Sequence, residues 1–252
     1  MCRVATLNGG RPIDGSSGCL VISGVPGAGK SSVAGLVADS LPRSAVPDAD
    51  ALARMVRSGW VGPIGEPADE ARAQLMLRTR NVCLLAGSFA EAGFFPVIDH
   101  VVADREMLEA MLGWLQPRPV WFVTLAPDLS IARARNATRP ERERIDYDIS
   151  GLYADIQREL SAKGWWFDTS TISPQDTAQK IIAEAGERAV VAGDGPSDPV
   201  TASTTRRRRV PFPMEASRGL DSSKVSTTVA GTTVTALPRD SKQVRPRDGW
   251  HR

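Results

Sequence analysis

The chain has 252 residues, 42% of them hydrophobic, and a formal net charge of +2, enough apolar content for one large soluble domain or two small ones. From Gly193 onward eleven Lys and Arg face six acids, so a body of net −3 carries a tail of net +5; this argues against a nucleic-acid-binding core and leaves at most Arg206-Arg207-Arg208-Arg209 as a polyanion contact. Cys2, Cys19 and Cys83, with His100 and His251, form no C-x-x-C pair or ligand cluster, and no segment reads as a secretory leader or membrane span, so a cytoplasmic protein without zinc or disulfides is expected.

Residues 1–17 lack periodicity and carry paired glycines, which predicts a flexible leader. The apolar run Cys19-Leu20-Val21-Ile22 predicts the first strand. Directly after it, Gly24-Val25-Pro26-Gly27-Ala28-Gly29-Lys30-Ser31 fills the G-x-x-x-x-G-K-[ST] template. Val33, Leu36, Val37 and Leu41 then recur at helical spacing, so strand, loop and helix stand in the order a phosphate-binding loop requires. Glycines there let successive N–H groups turn inward around phosphate oxygens, and the helix N-terminus adds partial positive charge. Gly24, Val25, Pro26, Gly27, Ala28, Gly29, Lys30, Ser31 and Ser32 are therefore expected to hold a nucleoside triphosphate, with Lys30 on the β- and γ-phosphates and the Ser31 hydroxyl on Mg2+.

Further elements follow in alternation. A second strand is expected over 44–47, a long helix over 68–92 with Leu75, Val82, Leu85, Ala86 and Phe89 near one side and Gly93 as C-cap, and a third strand over 94–99. A helix over 104–115 and an unbroken apolar strand over 119–125 come next; Asp128 then opens a helix running into the arginine-rich 133–142. A helix over 146–163, a fifth strand over 165–170 and a last helix over 174–190 complete the pattern. The alternation predicts an α/β fold: a P-loop NTPase three-layer domain over 18–191, with a five-stranded mostly parallel sheet and helices on both faces. Past residue 191 Gly, Pro, Ser, Thr and Arg dominate, which predicts a disordered basic tail over 192–252.

Strand ends supply the candidate chemistry. Asp48-Ala49-Asp50 closes the second strand at the sheet edge that lines the phosphate crevice. Two carboxylates one residue apart can divide the work: Asp50 is the candidate base for an acceptor hydroxyl and Asp48 the candidate for the magnesium shell, against the simpler role of capping the next helix. Asp99 ends the third strand where a carboxylate would hold magnesium or substrate, since an unpaired buried charge there is hard to explain by packing. The segment 133–146 reads as an arginine-rich lid in which Arg139 leads, then Arg135 and Arg133, as candidates to meet the γ-phosphate; Arg142 and Arg144 read as a salt-bridged solvated face. Arg54 and Arg78, with Arg80, lie in helices expected to border the acceptor, and Asp168-Thr169-Ser170 near the adenine. His100 reads as a structural histidine.

These residues together resemble small P-loop kinases. Gly24 to Ser32, Asp48-Ala49-Asp50, Phe89-Ala90-Glu91-Ala92-Gly93, Pro96-Val97-Ile98-Asp99-His100 and Leu125-Ala126-Pro127 look like the chloramphenicol phosphotransferase-like and related AAA-type kinases, with shikimate, gluconate and adenylylsulfate kinases and the zeta toxins as cousins. The resemblance implies transfer of the γ-phosphoryl group of ATP to a hydroxyl of an antibiotic, sugar or nucleotide-like metabolite by a monomer or dimer. It carries the ATP loop onto Gly24 to Ser32, the base onto Asp50 and the lid arginine onto Arg139. Two other readings stay open: a bare ATPase, and a nucleotide-binding regulatory or toxin-like protein.

Overall fold

A computed structural model describes Ile13, Gly15 and residues 17–141 and 144–192. All of these fall in the first of two compact units, Met1–Pro199, and the predicted disordered tail lies outside the described residues. Thirteen elements alternate among the described residues: β1 Cys19–Ser23, α1 Lys30–Asp39, β2 Ser44–Ala45, α2 Ala49–Ala53, α3 Ala68–Glu91, β3 Phe95–Asp99 and α4 Arg105–Leu115, then β4 Val120–Leu125, α5 Leu129–Ala137, α6 Ser150–Leu160, β5 Trp165–Phe167, α7 Pro174–Arg188 and β6 Val190–Ala192.

Five strands run parallel in the order β2-β3-β1-β4-β5. All five residues of β1 and of β3 are buried, because a strand at the centre of such a sheet is covered on both faces. Helices α1 and α7 pack together, as do α3 and α4, giving the three-layer arrangement. The chain passes from β3 to β4 across β1, so the loops leaving these three strands share one crevice.

The sheet has a sixth strand where the sequence predicts five. Residue 190 was expected to close the last helix, yet α7 stops at Arg188, and the β-branched pair Val190-Val191 runs antiparallel to β4 as β6. β5 pairs only Val123–Leu125 of β4, so the other half of that edge is free for β6 to cover, at Val120 and Trp121. Only the assembled sheet exposes that edge, which is why helical spacing alone runs past it.

Other boundaries shift for local reasons. The fifth strand ends at Phe167, where the Asp168 carboxylate accepts from Ser170 N–H and hydroxyl and turns the chain. The helix expected from 146 starts at Ser150, because Asp148 accepts from Ser150 N–H at 3.1 Å and forms the turn before it. α3 matches its prediction to within a residue, and Gly93 follows it at φ 81°. Leu85, however, is exposed, together with Leu77 and Leu84. In the segment expected to be loose, Ile13 is buried and donates its N–H to Ile182 O at 2.9 Å.

Candidate active site

The turn between β1 and α1 is shaped by backbone. Gly24, Gly27 and Gly29 hold φ values of 133°, 85° and 98°, a region that only glycine enters freely. A Cβ at Gly24 would strike the Leu125 carbonyl and one at Gly27 the Ala132 carbonyl, so the loop is pressed against β4 and α5 too closely for any side chain. Lys30, the first residue of α1, folds back to donate to Val25 O at 3.2 Å. Ser31 and Ser32 follow at the exposed helix start.

Carboxylates gather around this cup. Register places Asp99 opposite Ile22, two residues before Gly24, and its N–H donates to Pro47 O at 3.0 Å, which brings Asp48 alongside as a parallel bridge. Asp99 is 6% exposed. Burial pushes its carboxyl above the ordinary carboxylate value, while Lys30 and a hydrogen bond from the Ser31 hydroxyl pull it back. Burial likewise lowers the Lys30 ammonium, against the attraction of Asp99 and then Asp50. The like charge of Arg139 lowers it further.

Asp48 and Asp50 have separate partners. Asp48 is the N-cap of α2, accepting from Asp50 N–H at 2.8 Å and pairing with the exposed Arg54 at 3.6 Å. Capping thus falls to Asp48, and Asp50 stands free of it in the first turn. The Asp50 carboxylate, 67% exposed, meets Arg78 Nη1 at 3.3 Å. Arg78 reaches it from the middle of α3 with its side chain only 11% exposed.

The arginine-rich segment divides in three directions. Arg133 pairs with Asp148 at 2.6 Å. Arg135 donates to Thr169 O at 3.1 Å, above the turn after β5 rather than over the glycine cup. Arg139 follows the end of α5, its carbonyl accepting from Arg144 Nη2 at 3.1 Å. Asp168 and Ser170 tie the same turn to Asp128, whose N–H donates to the Ser170 hydroxyl at 2.9 Å.

Two neighbours complete the surroundings: Tyr147, not singled out from sequence, and His100, read there as a structural histidine. Tyr147, half-buried, stands within electrostatic reach of both Arg78 and Asp50. His100 is buried, and burial followed by Arg78 and Lys30 holds its imidazole down to about 3, so it is neutral. Thr79 donates its hydroxyl proton to Leu75 O at 2.7 Å; its oxygen must therefore accept from His100 Nε2, 2.9 Å away, which fixes the tautomer. Tyr147 has no sequence signal, since one tyrosine in a charged loop carries no spacing to read, whereas His100, read as structural, is buried and bonded to Thr79.

Residues 18–185 match the family described as chloramphenicol phosphotransferase-like protein. Among solved structures, a sugar kinase from Janibacter sp. is 18% identical with a TM-score of 0.50, over 65% of this chain and 91% of that one. APS kinase from Mycobacterium tuberculosis is 21% identical with a TM-score of 0.49, over 66% of this chain and 96% of that one. A tunicamycin resistance protein from Deinococcus radiodurans is 18% identical with a TM-score of 0.48, over 66% of this chain and 94% of that one. A comparison with curated proteins returned no match. Because the family match runs from the strand before the glycine cup into the last long helix, the chain belongs to the chloramphenicol phosphotransferase-like family.

Proposed function

We propose that this phosphotransferase-family chain is an ATP-dependent kinase that phosphorylates a hydroxyl of a small molecule, with Asp50 as the base. The observation that carries this is the exposed Asp50 carboxylate at the start of α2, two residues after Asp48, which bridges Asp99 at the end of β3, the strand paired with the β1 that leads into the glycine loop. In the reaction the acceptor oxygen bonds to the γ-phosphorus as the bond from that phosphorus to the bridging oxygen breaks. ADP leaves, and the hydroxyl proton passes to Asp50. Most of the rate enhancement comes from position and charge: main-chain N–H groups of Gly24 to Ser31 and the Lys30 ammonium hold the phosphates, and Arg139 meets the charge spreading over the γ-oxygens.

The chemistry of the donors fits a magnesium ion. The buried Asp99 carboxylate and the exposed Ser31 hydroxyl at the loop would offer the one or two protein oxygens such an ion takes beside phosphate oxygens. Asp48, the other candidate, has its carboxylate engaged by the Asp50 N–H and Arg54. Magnesium supplies neutralisation of the phosphate charge when bound. Arg135, turned toward Thr169, suits the nucleoside end better than the γ-phosphate. Arg54 and Arg78 flank the acceptor on the Asp48 and Asp50 side.

ATP consumption measured against a panel of hydroxylated metabolites and antibiotics, on wild type and Asp50→Asn, tests the reading. Acceptor-dependent turnover that falls by about 10²- to 10⁴-fold in Asp50→Asn, with the KM for ATP kept within about twofold, is the expected result. Hydrolysis that no acceptor stimulates would instead favour a bare ATPase.

A further inference from the structure

We propose that Arg78 is an anion anchor for the acceptor: the molecule phosphorylated here carries a carboxylate, phosphate or sulfate group beside its reacting hydroxyl. The inference rests on the kinase reading above and adds a substrate class to it.

A comparison with Arg72, six residues earlier on the same helix, isolates what is unusual. Arg72 is 34% exposed, yet it meets Asp104 at 2.6 Å and Glu106 at 2.7 Å, so a half-exposed guanidinium has two acids. Arg78 is more deeply buried, at 11% exposed, and among the described residues has a single acid, at 3.3 Å. That acid is itself two-thirds in solvent. The Arg78 Nε is fully buried with no hydrogen-bond partner among the described residues. Hydrogen bonding raises the Arg72 guanidinium above its ordinary value, whereas burial lowers that of Arg78 despite Asp50. A guanidinium has five donors in a planar fork, and a buried donor without an acceptor is destabilising by roughly 1–3 kcal/mol. The buried Nε itself is out of reach, but the terminal nitrogens of the fork, whose one acceptor among the described residues is Asp50 at 3.3 Å, are where a planar or tetrahedral anion completes the set.

Its surroundings place that anion on the acceptor side. Asp50, the candidate base, lies on the outer end of the guanidinium. One turn earlier on α3, Gln74 binds Gly59 O at 2.7 Å and Val61 N–H at 3.0 Å, holding the segment after α2 against the helix. Tyr147 approaches from the segment before α6. His100 behind it is neutral and adds no second cation. An acceptor presenting its hydroxyl to Asp50 therefore has the Arg78 fork beside it.

The test uses the full chain and matched acceptor pairs: hydroxy acids against their methyl esters or amides, and phosphate or sulfate monoesters that keep a free hydroxyl against the parent alcohols. Acceptor-stimulated ATP consumption is expected to favour the anionic member by about tenfold or more in kcat/KM. Arg78→Met should erase that preference by raising the acceptor KM, with the KM for ATP within about twofold. A wild-type preference for the uncharged members overturns the anchor while leaving the kinase reading intact, as does an Arg78→Met variant that keeps the anionic preference or weakens ATP instead. Absence of stimulation by every member of both sets removes the kinase reading and the anchor with it. Should Arg78→Met fail to fold, the wild-type ratio between paired acceptors decides.

Discussion

The loop from Gly24 to Gly29 and the cluster from Asp48 to Arg78 follow β1 and β2, the two strands that flank β3, but one is made of main chain and the other of side chains. The loop is fixed by positive φ values and by carbonyls of Leu125 and Ala132 that leave no room for a Cβ. The cluster is held by long polar side chains, Asp48 to Arg54 at 3.6 Å, Asp50 to Arg78 at 3.3 Å and Gln74 to the segment around Gly59. A cradle for phosphate needs only N–H groups, which every sequence supplies once glycines let them turn. Discriminating among acceptors needs side-chain chemistry, so the cluster is where such a fold varies.

The sharpest way to break that contrast is Lys30→Ala, which removes the one side chain the loop depends on. Turnover is expected to fall by about 10³-fold or more, with Mg·ATP affinity weakened alongside it in an equilibrium titration. Unchanged affinity would show that main chain suffices. Next is Gly27→Ala, where the added Cβ meets the Ala132 carbonyl at a φ of 85°. A loss of about 2–4 kcal/mol in urea unfolding is expected, together with loss of ATP binding.

Asp104→Ala probes a side-chain device away from the site. Asp104 caps α4 by accepting from Met107 N–H at 2.8 Å and pairs with Arg72. Burial alone would raise its carboxyl, but the Arg72 and Met107 hydrogen bonds outweigh it and hold the carboxyl below the ordinary 3.8. A depressed folded value means that the stabilisation is complete above 3.8 and drains away as pH falls through the folded value. Unfolding at pH 7 is expected to show a loss of about 1–2 kcal/mol in the variant, and the gap to wild type should close in acid below 3.8. The smallest effect belongs to Arg54→Ala. Its guanidinium is 68% exposed, so thermal unfolding should move by no more than about 0.5 kcal/mol. A larger shift would mean that the Asp48 cap relies on Arg54.

Legibility tracked the range of the interactions. Loop, flanking strand and helix were readable because φ preference, apolar run and helical spacing are properties of a few neighbouring residues, and Asp99 because a carboxylate closing a buried strand has few packing explanations. The three arginines at 133, 135 and 139 were readable as a charged cluster but not as three different contacts, since Asp148 and Thr169 arrive from separate elements. Which aspartate caps α2 was ambiguous for the same reason. The bridge to Asp99 pins Asp48 beside β3, leaving Asp50 to turn toward α3.

By itself, then, the order of residues determined the phosphate cup, the alternation of strands and helices, and the acids at the strand ends, because each depends on spacing along one stretch of chain. Tertiary structure decided the rest: that β6 fills the half-edge β5 leaves on β4, that Asp48 is bridged to Asp99, and that a nearly buried Arg78 backs Asp50. Those outcomes depend on how elements distant in the chain rotate and stack, and a change of one residue in helix phase would turn Arg78 by about 100° away from the cluster.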